Sequence, residues 1–491
     1  MKNNSIIKNT FVYTIRILSS MLFPIITFPY ISRVLSPDGV GKYNFSTSVI
    51  SYFSLLAGLG ISTYAIREGA KVRDNRQKLE KIAQELFTIN IISAITSYVL
   101  FLVVSNIIPK FREDRSLLLI LSLTLPLSMF GTEWIFSIYE DYFYITIRSV
   151  SFQFVSLILM LLFVKNQGDI NIYAAITVFA SAGSNIFNYV HARKYFKHKI
   201  SLNKSIFKHM KPIVILFAAA IASQVYVNSD TIMLGFLKEN YDVGIYVAAT
   251  KIYNIVRSLL IAFITVVTPR LSYYYGKRNE NSDYDTLFNR ALNMYMAIII
   301  PAAIGVILIS NQSLQLLSGK DYLLATNALK LLAIALVFST SGSFIANTVL
   351  IVTGQEKKIF VATVIGAIVN LSLNFIFIPL YSYTGAAMTT LIAEFVVFNI
   401  QLYFAKTIVK PQSYMSTFIK PIIACIPMIF ISNILSLLRL NYLIELFLII
   451  IIAVISYFGV LSILRHEIVN TALGFIKKSI CTIHKGQKMN T

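Results

Sequence analysis

Apolar stretches of about 20 residues recur from one end of the chain to the other, and each is long enough to cross ~30 Å of hydrocarbon. A soluble domain of 491 residues needs polar side chains to cover itself, yet 56% of the residues are hydrophobic and only 13% charged, with a mean hydropathy of +0.70. Too little polar material remains for a water-facing surface. The pattern predicts an all-α polytopic membrane protein. A transmembrane β-barrel would instead show short segments alternating with a period of two.

Reading the runs in order gives about fourteen transmembrane helices, at roughly 10–33, 43–66, 83–107, 116–139, 142–164, 171–192, 212–235, 244–268, 288–310, 323–353, 359–379, 384–405, 419–438 and 443–464. The first is expected to be a retained span, because its apolar region carries Arg16 and lacks a small-residue cleavage site. An even count puts both termini on one side. Alternate connections carry roughly 28 Lys and Arg on that side and about 8 on the other, so positive-inside bias makes the terminal side cytoplasmic. The net charge of +21 is therefore a topology signal, and nucleic acid is not expected as a partner. Much of the excess sits in "REGAKVRDNRQKLEK" (67–81) and "ARKYFKHKISLNKSIFKHMK" (192–211). In the latter, Leu202, Ile206 and Met210 fall at helical spacing among lysines, a candidate amphipathic helix lying on anionic headgroups.

The sequence also echoes itself. "VLSPDGVGKY" (34–43) follows the first span and "FLKENYDVGIY" (236–246) the seventh, and each leads into a long helix ending at an arginine, Arg67 or Arg270. Val40 precedes Arg67 by the same number of residues as Val243 precedes Arg270. This predicts a parallel repeat of six helices, a plan typical of transporters whose halves rock about a midplane site. The expected division is a six-helix lobe at 1–192, a basic linker at 193–211, a second six-helix lobe at 212–406, two extra helices at 407–464 and a basic cytoplasmic tail at 465–491. Pro37-Asp38-Gly39 reads as a tight turn between the first two helices.

"FPYISRVLSPDGVGKYNF", "LLAGLGISTYAIREGAKVR", "EWIFSIYEDYFYITIRS" and "NSDTIMLGF…VGIYVAATKIY…TPRLS" resemble the polysaccharide (O-antigen type) repeat-unit flippases of the multidrug/oligosaccharidyl-lipid/polysaccharide exporter superfamily. The resemblance spans nearly the whole chain, with the blocks in the family's order. It implies two six-helix lobes around a central cavity in a bacterial plasma membrane. It also implies alternating access for an undecaprenyl-pyrophosphate-linked oligosaccharide, moved from the cytoplasmic to the outer leaflet. Membrane lipids, a polysaccharide polymerase and glycosyltransferases are the implied partners.

Charges inside the spans nominate the site. On the eighth helix Lys251, Asn254 and Arg257 share an arc of about 120°, with Thr250 and Ser258 between them and Ile, Val and Leu opposite. On the first, Arg16 heads a face continued by Ser20, Phe23, Thr27 and Tyr30. Such stripes must face protein or a water-filled cavity, since a cation at the bilayer centre costs roughly 2.5–3.5 kcal/mol or more. Arg16, Lys251, Arg257 and Arg148 are the candidate pyrophosphate ligands: an arginine fork donates two parallel hydrogen bonds and a lysine adds a mobile point charge. Arg148 has a structural alternative, pairing with Glu140 or Asp141. Arg33 is expected to cap the first helix. Asn254, Gln224 and Asn228 are candidate sugar ligands, Gln224 and Asn228 serving otherwise to join helices. Asp230, Glu394 and Glu133 are intramembrane carboxylates that can couple transport to a proton or sodium ion, or pair with basic residues.

Nothing in the chain resembles a nucleophile–base pair, a metal cluster or a Walker-type loop, so neither a metal nor a cofactor is expected. The two cysteines, Cys425 and Cys481, cannot frame a disulfide scaffold. A membrane polymerase or glycosyltransferase on the same lipid carrier is thus the weaker reading. A multidrug exporter is disfavoured by the fourteen spans and the cationic stripe, whereas a lipid II flippase is harder to separate.

Overall fold

The computed structural model describes residues 3–277, 283–409, 415–438 and 440–469, and contains no strand among them. The expected tail beyond residue 469, including Cys481, lies outside the described residues. Contacts divide the chain into two compact units, one running to Val247 and the other starting at Ala248.

The helices are built inside out, as a lipid solvent demands. On the Arg76–Ile107 helix, Ile92, Ile95, Val99 and Val103 form an exposed apolar row, each about half accessible. The opposite row buries Ser93 and Ser97, whose hydroxyls donate to the carbonyls of Ala57 (2.6 Å) and Phe53 (2.6 Å) on the neighbouring helix. In hydrocarbon a polar group left alone is costly, so small hydroxyls become the fasteners between helices and large aliphatics face the lipid.

Eleven helices among the described residues are long and apolar enough to cross a membrane, against an expectation of fourteen. The difference lies in three places. Phe11–Lys71 forms one segment across non-helical Ser36 (φ 60°) and the Leu59-Gly60 turn, and Glu356–Ala405 is continuous through a single non-helical residue, Ser382 (φ 50°). The apolar stretch at Arg115–Ser128 is too short to count.

Ser36 also corrects the expected turn. Pro37 opens the helix that follows the break and Gly39 is helical, so the chain reverses on one left-handed serine instead of a Pro-Asp-Gly turn. Proline suits a first helical position because its missing N–H is an orphan there anyway.

The glycines of the two echoed segments have a different use. A Cβ on Gly41 would overlap the carbonyl oxygen of Asn240, and one on Gly244 would overlap that of Pro37. Gly41 and Gly244 hold the same place in the two copies of the echo, as do Pro37 and Asn240, so each copy's glycine meets the other copy's helix start. That reciprocity is the signature of a two-fold related contact.

The linker departs from its expected form. Residues 197–203 are non-helical, and helix resumes only through Lys204–Ile206 into Phe207–Leu237. Leu202 projects outward, 78% exposed, while Ile206 and Met210 are partly buried against the core of the first unit.

Candidate functional site

The first unit gathers three of the nominated charges. Glu133 opens the short Glu133–Ile138 helix, which is anchored by burial of Trp134, Ile135, Phe136 and Ile138. The chain then turns at Glu140 (φ 59°), and Asp141 caps the Tyr142–Phe163 helix by accepting from the Tyr144 amide. This reversal lays Arg148 back against Glu133. Arg148 donates from Nη2 to one carboxylate oxygen at 2.6 Å, while Arg16, from the first helix, bonds the other at 2.6 Å.

The expected pairing of Arg148 with Glu140 or Asp141 is therefore wrong. Glu140 lies beyond the end of the Arg148 helix and bonds Arg73 at 2.9 Å, and Asp141 accepts from Tyr195 at 3.0 Å.

One carboxylate facing two guanidinium groups leaves a net positive centre. Arg148 is 8% exposed, and its Nε and Nη1 have no hydrogen-bond partner among the described residues. Buried donors without acceptors cost about 1–3 kcal/mol each, so the site is under-supplied with acceptors. Arg16 and Glu133 are about a quarter and a third exposed, with the Tyr13 ring 5.9 Å from the Arg16 guanidinium. Glu133 also lines a cavity of ≈ 340 Å³ whose wall carries Asn90, Asn185, Ser62, Ser128 and Ser137. Cation pair and polar chamber thus meet at one carboxylate.

In the second unit the stripe of the Asn240–Gly276 helix is only partly accessible: Lys251 and Arg257 are half-buried and Asn254 is exposed. Arg257 donates from Nε to the Ser339 hydroxyl at 2.9 Å. Tyr253 lies within electrostatic reach of both Arg257 and the buried Glu394. A serine satisfies one donor without neutralising charge, so Arg257 keeps its affinity for an anion. A further cavity of ≈ 970 Å³ in this unit is apolar, lined by Phe288, Leu292, Met296, Phe398 and Leu402, with Lys406 in its wall.

Other nominated residues are consumed in packing. Gln224 and Asn228 both donate to Ser51, at 2.7 and 3.3 Å, tying the Phe207–Leu237 helix to the helix that Pro37 opens. Asp230 is buried and accepts from Tyr246 at 2.6 Å. Arg33 donates to the Pro29 carbonyl, four residues back on its own helix.

A family model described as "Polysaccharide biosynthesis protein" matches residues 6–274, more than half of the sequence. The chain belongs to the polysaccharide biosynthesis protein family. A second model, MatE, matches residues 216–376. Among relatives, a protein of Escherichia coli (strain K12) named as an O-antigen transporter is 23% identical over 79% of this chain and 94% of its own length. The capsular polysaccharide biosynthesis protein CapF of Staphylococcus aureus is 26% identical over 77% and 93%. A structure of the lipid II flippase MurJ in an inward closed conformation superposes with a TM-score of 0.75, covering 92% of this chain and 98% of that one at 18% identity. An inward-facing multidrug MATE transporter of the MOP superfamily superposes at 0.62, over 80% and 97%, at 15% identity. At such identities the likeness establishes the fold alone, an all-α polytopic membrane architecture.

Arg16, Glu133, Arg148, Lys251 and Arg257 all lie within the polysaccharide biosynthesis match. Sequence reasoning nominated every one of them but missed their polar company, Asn90, Asn185 and Ser339. Asn90 is flanked by isoleucines, and Asn185 and Ser339 belong to the short polar clusters "SAGSN" and "STSGS" inside apolar runs, which was the signal available.

Proposed function

We propose that this member of the polysaccharide biosynthesis family is a flippase for an undecaprenyl-pyrophosphate-linked oligosaccharide repeat unit. It carries the cargo from the cytoplasmic to the outer leaflet of a bacterial plasma membrane, for surface polysaccharide assembly. The observation that carries this reading is Arg148: a buried guanidinium beside Arg16, sharing one carboxylate and keeping two donors without acceptors. A diphosphate supplies the missing acceptors. Its oxygens take the parallel donors of both arginines and displace Glu133, while the first sugar has the polar chamber beside it. The second unit offers Arg257, and Lys251 on the same helix, as phosphate donors of its own. Its apolar cavity suits an isoprenoid tail.

The name of the E. coli relative points the same way, to O-antigen transport, and that of the S. aureus relative to capsular polysaccharide biosynthesis. Two six-helix lobes, with the extra helices at 407–464 outside the repeat, exchange access by rocking. The termini lie on the cytoplasmic side. Glu133, released when phosphate binds, is the candidate for coupling transport to a proton or sodium ion favoured over Asp230 and Glu394, because it alone is bonded to both Arg16 and Arg148. Glycosyltransferases deliver the cargo and a polymerase receives it.

The likeness to MurJ favours one second reading, a lipid II cargo. Complementation separates the two. Expressed in a strain lacking its repeat-unit flippase, the chain restores surface polysaccharide, and in a strain depleted of its lipid II flippase it does not restore growth. Arg148→Ala and Arg257→Ala each abolish the restored export at normal membrane levels. Near-normal polysaccharide from both variants would remove these arginines from the site.

A further inference from the structure

The linker that corrects the amphipathic-helix expectation is a fixed strap. The Lys197 amide donates to Glu80 at 3.3 Å and its carbonyl accepts from Gln84 at 3.2 Å. The Ser201 amide donates to Thr88 at 2.9 Å. Glu85, fully buried, accepts from Ser205 at 2.6 Å and meets Lys208 at 3.0 Å and His209 at 2.8 Å; His209 in turn meets the Tyr64 hydroxyl at 2.8 Å. All of these anchors save Tyr64 lie on the Arg76–Ile107 helix or the strap itself.

A segment held this firmly still displays large apolar side chains. Ile200, Leu202 and Phe207 are 62%, 78% and 75% exposed. Between the strap and the helix lies a cavity of ≈ 420 Å³ whose wall is almost wholly apolar, formed by Leu56, Ile89, Ile92, Leu202, Ile206 and Phe207. Its helix side continues into the exposed apolar row of Ile92, Ile95 and Val99, so the cavity opens toward the lipid-facing surface.

The charges around it have one sign. No acidic residue occurs between Ile170 and Ser229, while Lys197, Lys199, Lys204 and Lys211 are exposed. The nearby acids Glu80 and Glu85 are already spent on the strap's own amides, hydroxyl, lysine and imidazole.

We propose that this cavity binds one acyl chain of an anionic membrane phospholipid, with the strap lysines holding its phosphate headgroup. Apolar burial fixes the chain and like-signed lysines select the charge. The lipid is a resident of the interface, distinct from the transported cargo, and the inference does not depend on what that cargo is.

The protein contains a single tryptophan, Trp134. Full-length Leu202→Trp in a Trp134→Phe background is reconstituted into vesicles containing either brominated-chain phosphatidylglycerol or brominated-chain phosphatidylcholine. If the background fails to fold, Leu202→Trp is read over the constant Trp134 signal. The phosphatidylglycerol is expected to quench with an apparent affinity roughly fivefold higher or more, the gain from about one engaged lysine at an anionic headgroup. Lys199→Gln/Lys204→Gln lowers that preference, and Leu162→Trp, on an outward apolar face, shows none. Equal quenching by the two lipids overturns the proposal. Relief of quenching by undecaprenyl phosphate, but not by unbrominated phosphatidylglycerol, also overturns it by assigning the cavity to the cargo's tail.

Discussion

Replacing Glu133 with glutamine isolates the central step, because it removes the counter-ion and leaves its shape. In the wild type the carboxylate holds Arg16 and Arg148 at 2.6 Å each, and a diphosphate must break both bonds to bind. Charge-assisted hydrogen bonds contribute about 1.5–3 kcal/mol each. Arg16 and Glu133 are a quarter to a third exposed, and water and salt screen that pair, so a net penalty of ~2 kcal/mol is the reasonable figure. Glu133→Gln removes the penalty. At 1.4 kcal/mol per decade, diphosphate binding tightens by about 30-fold. The assay is equilibrium binding of radiolabelled farnesyl diphosphate to the purified protein in detergent at low salt, repeated at high salt, where the gain shrinks. Export in cells falls at the same time, because the carboxylate that should expel the headgroup is gone. Thermal unfolding reads any loss of stability separately. A Glu133→Gln protein that folds but binds the diphosphate within about twofold of wild type, or more weakly, refutes the exchange of carboxylate for phosphate.

Two further outcomes test the fold. Gly41→Ala should destabilise the protein by ~3 kcal/mol, the upper end of ordinary overpacking, because the new methyl meets a backbone carbonyl that cannot swing away. Propensity alone predicts the opposite sign, since alanine gains about 1 kcal/mol over glycine in a helix interior, so a neutral or stabilised Gly41→Ala in thermal unfolding would rule out the close approach. Near the strap, His198 is enclosed by Phe87, Tyr189 and Phe196, with both ring nitrogens unpartnered among the described residues. Burial, with Arg193 nearby, pushes its pKa down from 6.5 to about 4. The unfolded chain therefore takes the proton first as pH falls, and stability drops between about 6.5 and 4. His198→Phe should flatten that part of the stability–pH curve relative to wild type, and an unchanged slope would exclude His198 as its source.

The fold was legible where one rule acts alone. Hydropathy marks the apolar helices because hydrocarbon tolerates little else. It was illegible where two local rules compete. Leu202, Ile206 and Met210 have helical spacing, but Ser201, Ser205 and the Lys197 backbone find better partners in Thr88, Glu85, Glu80 and Gln84, so the segment before Lys204 stays extended. Pro37-Asp38-Gly39 has turn composition, but Pro37 serves as a helix start and Ser36 takes the strain. For Arg148, proximity in sequence favoured Glu140, and only the left-handed backbone at Glu140 shows why the more distant Glu133 is reached instead.

How the polar residues are spent separates structure from function within the bundle. Ser93, Ser97, Gln224, Asn228 and Asp230 each engage a neighbouring helix, as residues retained for stability in a lipid solvent should. Arg148 breaks this rule: a charged side chain, more than nine-tenths buried, with one bond to a shared acid and two donors idle among the described residues. Stability alone would favour an apolar residue of similar volume at that position, since replacing buried ion pairs by packed hydrophobics is often neutral or better. It would not favour a second arginine competing for the same carboxylate. On the proposed reading, a guanidinium pair short of acceptors gains its missing bonds from an anion with several oxygens, and the neighbouring polar chamber suits one that carries a hydroxyl-rich group.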